Sequence, residues 1–332
     1  MPDNKQPEAR QLSLFSPEGE QSSYATTADA PVLPPNASME HAIGAFEKHM
    51  QARGFTENTQ EAFGFDLQLL HDYLTPGTTI DEIGTATLNA FLKWMETGRG
   101  VPCSPKTLER RVTTLKVFFG WLAEEEILPR DVAAPLIHRA VSAPLPDTLS
   151  DDEITALLTV TEEMRQGRDD NDPDARPHCL LTLLLNTGIK KSECVNIHLN
   201  HLDLANSQRP AVWIRYKSAR RRHKERRIAL PSTWPKVLNE YLAQYPTKQQ
   251  LFPWTPRNLE YVLTGVAETA EVARVTFETL RWTCAVKDYI DDMPSEELRR
   301  KLGLSEISWY EVENRLDLLA RLRAGYSRAD TT

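Results

Sequence analysis

Asn206-Ser207-Gln208-Arg209-Pro210-Ala211-Val212-Trp213-Ile214-Arg215-Tyr216-Lys217, continued by Ser218-Ala219-Arg220-Arg221-Arg222-His223-Lys224-Glu225-Arg226-Arg227-Ile228-Ala229-Leu230-Pro231, decides the fold. The Asn-Ser-Gln turn leads into a strand from Ala211 to Tyr216, rich in branched and aromatic residues. The basic run is the turn, and Arg227 to Leu230 is the returning strand. Downstream the apolar spacing is helical: 232–245, 256–272, 276–292, 295–303 and 306–324. This half is therefore mainly α with one small antiparallel sheet.

The hairpin is also the chain's electrostatic anomaly. Residues 209–228 carry nine basic side chains against Glu225 alone, a local +8, whereas the whole chain has 39 Lys plus Arg against 47 Asp plus Glu, net −8. Bulk positive charge cannot be how this protein holds a polyanion; a local patch can. Such density repels itself unless an anion neutralises it, so the run reads as a phosphate-contacting hairpin, with a solvated face as the bland alternative.

Upstream, Cys179 to Asn186 is an apolar helix that must be buried, preceded by an acidic loop from Gly167 to Pro173. Ser150 with Glu153 three residues on is a capping box. Ala143-Pro144-Leu145-Pro146 reads as a stiff linker. Before it the spacing predicts four helices. The first carries Ile43, Phe46 and Met50; the second an inner face of Ala62, Phe63, Phe65, Leu67, Leu69, Leu70 and Tyr73. The third runs from Asp81 to near Gly98. The fourth opens at Ser104-Pro105, with Leu108, Val112, Leu115, Phe118, Phe119 and Leu122 inside and Lys106, Arg110, Arg111 and Lys116 on the other side. Residues 1–40 hold two basic and six acidic side chains and six prolines, with no apolar periodicity. That composition predicts a disordered tail. The expected organisation is a tail (1–38), a helical domain (39–140), a linker (141–149), a second domain (150–324) and a C-terminal tail (325–332).

A length of 332 residues suits two domains plus spare chain. No apolar run approaches the roughly 18 residues of a membrane span. No secretory signal is legible, and Cys103, Cys179, Cys194 and Cys284 form no CxxC pair. Reduced thiols, a cytoplasmic, nucleoid-associated location, and no metal or cofactor are the expectations.

In order and spacing these motifs resemble the tyrosine recombinase (phage integrase) family over about residues 40–315. Phe55-Thr-Glu-Asn-Thr59 through Asp66-Leu67 and Ser104-Pro105-Lys106-Thr107-Leu108 through Phe118-Phe119-Gly120-Trp121-Leu122 are similar to the second and fourth helices of the family's SAM-like core-binding domain. Leu145-Pro146-Asp147-Thr148-Leu149-Ser150 through Ile154 resembles the entry to its catalytic domain. Leu184-Leu185-Asn186-Thr187-Gly188-Ile189-Lys190-Lys191-Ser192-Glu193 resembles the segment of the first catalytic arginine. Lys224 through Pro231 resembles the third strand, Thr279-Leu280-Arg281-Trp282-Thr283 the second arginine box, and Lys301-Leu302-Gly303 the approach to the nucleophile. The resemblance implies duplex DNA as partner, bound by the hairpin (Arg215, Lys217, Arg220, Arg221, Arg222, Lys224, Arg226) and by the fourth helix (Lys106, Arg110, Arg111, Lys116), which enters the major groove in the family. It also implies self-association or association with other recombinases.

The chemistry departs from the pattern. In the family a tyrosine attacks the phosphodiester, arginines and a histidine or lysine stabilise the charge, and a hairpin lysine protonates the leaving oxygen. Arg281 and Lys217 match. The first arginine is Lys190, which loses the bidentate fork. Glu193 matches a supporting acid and is expected to pair with Lys190 or Lys191. The histidine three residues before Arg281 is Glu278, and two anions at about 4 Å repel by roughly 4 kcal/mol at a dielectric near 20. Leu304 replaces the next histidine, and Glu313 stands where the nucleophile belongs. Tyr310 falls three residues early, a displacement of about 4.5 Å along a helix, some ten times what catalysis tolerates; Tyr326 falls thirteen late. A DNA-binding protein without cleavage activity is the leading expectation. A divergent recombinase using Tyr310 and an adaptor that has lost DNA binding are the alternatives.

In the tail, Gln11-Leu12-Ser13-Leu14-Phe15 resembles the short peptide with which bacterial replication and repair proteins dock on the sliding clamp. Leu14 and Phe15 would enter an apolar pocket and Gln11 would be hydrogen-bonded.

Overall fold

The protein's structure, a computed structural model, describes residues 33–101, 103–137, 144–167 and 172–329, with side chains through residue 324. It is mainly α with a three-stranded antiparallel sheet, in two compact units that divide between Ala143 and Pro144. The pentapeptide Gln11–Phe15 lies outside the described residues, as does the side chain of Tyr326.

The first unit has four helices: α1 (Met39–Ala52), α2 (Glu57–Tyr73), α3 (Thr85–Lys93) and α4 (Pro105–Glu124). Ser38, Thr56 and Ser104 cap α1, α2 and α4 through their hydroxyls. The third helix starts later than Asp81 suggests: Ile80–Glu82 is a separate single turn, and α3 begins behind Gly84 and ends in a π turn, Trp94–Gly98. The core is aromatic, with Phe46, Phe91, Phe118 and Phe119 fully buried and Phe46 edge-on to Phe118 at 5.2 Å.

On α2 the buried stripe is Phe63, Asp66, Leu67 and Leu70, at the three- and four-residue spacing of one helix face. Phe65, expected inside, lies about 200° around the helix from Phe63 and is 61% exposed. Asp66 is buried instead. Its carboxylate accepts from Arg110 Nη2 (2.8 Å), Arg111 Nε (3.3 Å) and Thr114 Oγ1 (3.0 Å), so α2 is joined to α4 by a buried ionic cluster. Burial raises the Asp66 pKa even against those donors.

The second unit wraps helices around α6 (Arg176–Thr187), which is buried on nearly every side. Packed against it are α5 (Asp151–Gln166), α8 (Trp234–Gln244), α9 (Pro256–Thr269) and α10 (Phe277–Ile290). The Ser150 capping box is formed, with Ser150 N donating to Glu153 Oε2 at 2.7 Å. A single-turn helix, α7 (Lys191–Cys194), follows α6. The sheet runs β1 (Leu202–Asp203), β2 (Ala211–Ile214), β3 (Arg226–Ala229), with Val212 opposite Ile228 and Ile214 opposite Arg226. β1 is too short to be read from pattern. α11 (Ser295–Lys301) and α12 (Glu306–Ala329) close the unit, and α12 carries through residues expected in the C-terminal tail. Among the described residues no helix is long and apolar enough to cross a membrane.

Candidate nucleic-acid and catalytic site

The site grows from the end of α6. Gly188 terminates that helix at φ 57°, and a Cβ there would sit 3.2 Å from Cys284 Sγ and from a Leu302 methyl. Only glycine gives both the left-handed turn and that close approach. The turn aims the Gly188 carbonyl at Arg281 on α10. Arg281, 9% exposed, donates to this carbonyl and, at 2.7 Å, to that of Leu302. Burial lowers its pKa, with Glu193 and Glu278 opposing and Arg226 adding to the effect.

Two residues past the turn, Lys190 reaches solvent. The protein packed around its ammonium and the nearby Arg281, Lys224 and Arg226 hold its pKa below the ordinary lysine value, against the pull of Glu193. Four cations thus share one electrostatic neighbourhood. The hairpin lysine in it is Lys224; Lys217 is exposed past the end of β2.

Glu193 does not pair with Lys190 or Lys191 as expected. Lys191 binds Glu260 at 2.6 Å, and Glu193 takes a bidentate pair from Arg226, at 3.0 Å from Nη1 and 2.9 Å from Nη2. The Tyr216 hydroxyl and the Lys190 backbone N–H (2.9 Å) complete its shell. Burial alone would raise the Glu193 pKa; the Arg226 fork, Tyr216 and Lys190 N–H outweigh it and hold the carboxyl at about 2. Arg226 also donates from Nε to the Lys301 carbonyl at 2.7 Å. Its guanidinium lies against Gly303 (φ 62°), where a Cβ would be 2.7 Å from Nη1.

Against the expectation of a phosphate contact, Arg226 is a buried structural ion. The pattern held the clue, because Ile228 and Leu230 face inward and period two puts Arg226 on the same side. Arg111 is corrected likewise. It is 5% exposed, bound to Asp66 and to Cys103 Sγ, and Arg110 is half-buried on Asp66 and the Ala62 carbonyl. Lys106 and Lys116 remain exposed on α4.

The rest of the basic run is open. Arg215, Lys217, Arg220, Arg221 and Arg222 are exposed and Lys224 is half-buried. Among the described residues none has a carboxylate partner; Arg215 lies over the Trp213 ring at 5.5 Å. The turn is a tight 3-10 helix, Ala219–Lys224, which splays these side chains around its axis.

The residues expected at substituted positions are engaged within the fold. Glu278 accepts from Trp282 Nε1 at 2.8 Å. Leu304 packs on the cluster of Trp282, Val286, Leu298 and Leu302. Glu313 accepts from Ser295 Oγ at 2.7 Å, which ties α12 to the start of α11. Tyr310 is 73% exposed beside the buried Trp309.

With this geometry established, comparison with known proteins assigns the class. Residues 147–311 match the model described as Phage integrase family, and residues 43–126 that described as Phage integrase, N-terminal SAM-like domain. The chain belongs to the tyrosine recombinase (phage integrase) family. It is 26% identical over 167 residues to Tyrosine recombinase XerC of Mycobacterium sp. (strain JLS), covering 50% of this chain and 55% of that protein. It is 30% identical over 158 residues to Tyrosine recombinase XerD of Rhizobium meliloti (strain 1021), covering 47% and 50%. The chain thus spans about half the length of the curated relatives it matches. In fold it is similar to XerH site-specific recombinase bound to palindromic difH substrate (TM-score 0.70, 15% identity, 90% of this chain and 98% of that one). It is also similar in fold to a lambda integrase dimer bound to a COC' core site (TM-score 0.63, 14% identity, 83% and 77%).

Proposed function

We propose that this chain binds duplex DNA on a tyrosine recombinase scaffold, acts in DNA recombination, integration or element maintenance, and does not itself cleave DNA. One observation supports the reading: cations cluster beside Lys190 while the position expected for the attacking tyrosine carries Glu313. Lys190 and Lys224 offer positive charge to a phosphate, with Arg281 buried behind them on the Gly188 and Leu302 carbonyls, while Glu313, at the position expected for the nucleophile, is a carboxylate already bound to Ser295. Glu278 adds a negative charge next to Arg281. The free cations on the 219–224 turn and on α4 support phosphate contact. XerH and lambda integrase, similar in fold, are described as bound to DNA, the latter as a dimer. Self-association or association with other recombinases belongs to the same proposal.

The test is incubation with nicked suicide substrates. The expected result is no covalent protein–DNA species on denaturing gels. An adduct that disappears in Tyr310→Phe would overturn the proposal and establish a displaced nucleophile. We further propose that Gln11–Phe15 docks on the bacterial sliding clamp, with Leu14 and Phe15 supplying the apolar contact.

A further inference from the structure

The strand pairing of the basic hairpin stops one rung short of its turn. The Leu230 N–H donates to the Pro210 carbonyl at 2.8 Å. Hydrogen-bonded pairs recur at every second residue of an antiparallel ladder, so the series runs 210/230, 212/228, 214/226. Its next member would join Tyr216 to Lys224, and there the regular strands have ended. The Tyr216 N–H donates instead to Glu225 Oε1 at 3.0 Å, and the Lys224 carbonyl accepts from Arg226 Nη1 at 3.3 Å. A side chain has taken the place of a backbone rung.

Glu225 acts in two directions. Its backbone N–H donates to the Arg222 carbonyl at 2.9 Å and closes the 3-10 turn, while its carboxylate holds the strand on the other side of that turn. Tyr216 is gripped at both ends, by Glu225 at its N–H and by Glu193 at its hydroxyl. Glu193 in turn holds Arg226, the neighbour of Glu225, so the four residues close a ring at the mouth of the turn. Arg215, which the register places across from Glu225, makes no ion pair with it and lies over Trp213. The only acid among residues 209–228 therefore serves backbone geometry and leaves the arginines free. Coulomb's law alone disfavours an exposed carboxylate in a patch that meets a polyanion.

We propose that Glu225 is a positioning residue for DNA binding: its carboxylate clasps Tyr216 and so fixes the turn that carries Arg220, Arg221 and Arg222 in the geometry that meets phosphates. The inference rests on the DNA-binding reading above and adds the group that sets the turn.

The test compares Glu225→Gln with Glu225→Ala in the full-length protein. The readouts are affinity for a labelled mixed-sequence duplex across a salt titration and hydrogen exchange at the Tyr216 amide. Both variants remove the same charge, so electrostatics alone makes both bind tighter. Gln keeps an oxygen to accept from Tyr216; Ala does not. The expected result is a split. Glu225→Gln should bind at least as tightly as the unaltered protein and keep the Tyr216 amide protected. Glu225→Ala should lose that protection and bind about three- to tenfold weaker, the worth of one hydrogen bond. Its salt slope should flatten by about 0.9 per lost phosphate contact. Tighter binding by both variants, equal weakening of both, or unchanged Tyr216 exchange in Glu225→Ala would overturn the proposal. Absence of duplex binding by the unaltered protein would overturn the DNA-binding reading and the positioning role with it. Duplex binding that Glu225→Ala leaves intact would overturn the positioning role alone.

Discussion

Replacing Glu193 by Gln keeps the shape of the Arg226 latch and removes its charge. Arg226 would then lie buried, with side-chain exposure of 8%, facing an amide whose N–H₂ can point a donor at it. Two independent routes give the cost. Breaking a buried ion pair by removing one partner costs about 3–5 kcal/mol. Separately, the gap between the ordinary carboxyl value of 4.5 and about 2 in the fold is worth about 3 kcal/mol at neutral pH. Because the folded pKa lies below the unfolded one, this contribution is present above about pH 4.5 and is lost as pH falls toward 2. The second unit has a size at which about 1 kcal/mol moves Tm by roughly 2–4 °C, so Glu193→Gln should lower its melting by about 6–20 °C at pH 7. Scanning calorimetry and urea unfolding at stepped pH are the assays. The unaltered protein should lose stability between pH 4.5 and 2 more steeply than the variant, and the two curves should converge at the acid end. A loss below about 1 kcal/mol at pH 7, or equal acid slopes, would refute the latch as an energetic element.

Gly303→Ala attacks the same latch from the other side: a methyl 2.7 Å from Arg226 Nη1 at a left-handed φ should cost about 2 kcal/mol or more, read as a lower urea midpoint. Arg111→Ala should destabilise the first unit by about 2 kcal/mol by removing one of the two guanidinium partners of Asp66, whereas Lys106→Ala should leave its melting within about 0.5 kcal/mol and lower DNA affinity instead. Changing Arg220, Arg221, Arg222 and Lys224 together to Ala should flatten the salt dependence of DNA binding by about 0.9 per lost phosphate contact; an unchanged slope would remove the hairpin from the interface. A peptide of residues 6–20 should bind purified sliding clamp at about micromolar strength, and Leu14→Ala with Phe15→Ala should abolish this without touching DNA affinity. Absence of titratable binding at high micromolar peptide would end the docking proposal.

The sequence alone determined what rests on local rules: the capping residues Ser104 and Ser150, the periodic helices, the strand pair around the basic run, and the ordered motifs of the family. These signals lie within a few residues of one another, so no tertiary knowledge is needed to read them. It also carries the expectation of where the chain departs from the pattern it resembles, because Lys190, Glu278, Leu304 and Glu313 are identities and not geometry. What only the tertiary structure decided is which charges are spent. Arg111 looks in sequence like its exposed neighbours, and the strand period turns Arg226 inward without naming its partner; each is consumed by a carboxylate from a distant segment, Asp66 and Glu193. Phe65 went outward for the same reason that Asp66 went inward: the face of α2 turned to α4 carries the buried ionic cluster. A guanidinium's burial depends on whether the fold brings it a partner that offsets its desolvation, and that pairing is set by packing between elements far apart in the chain.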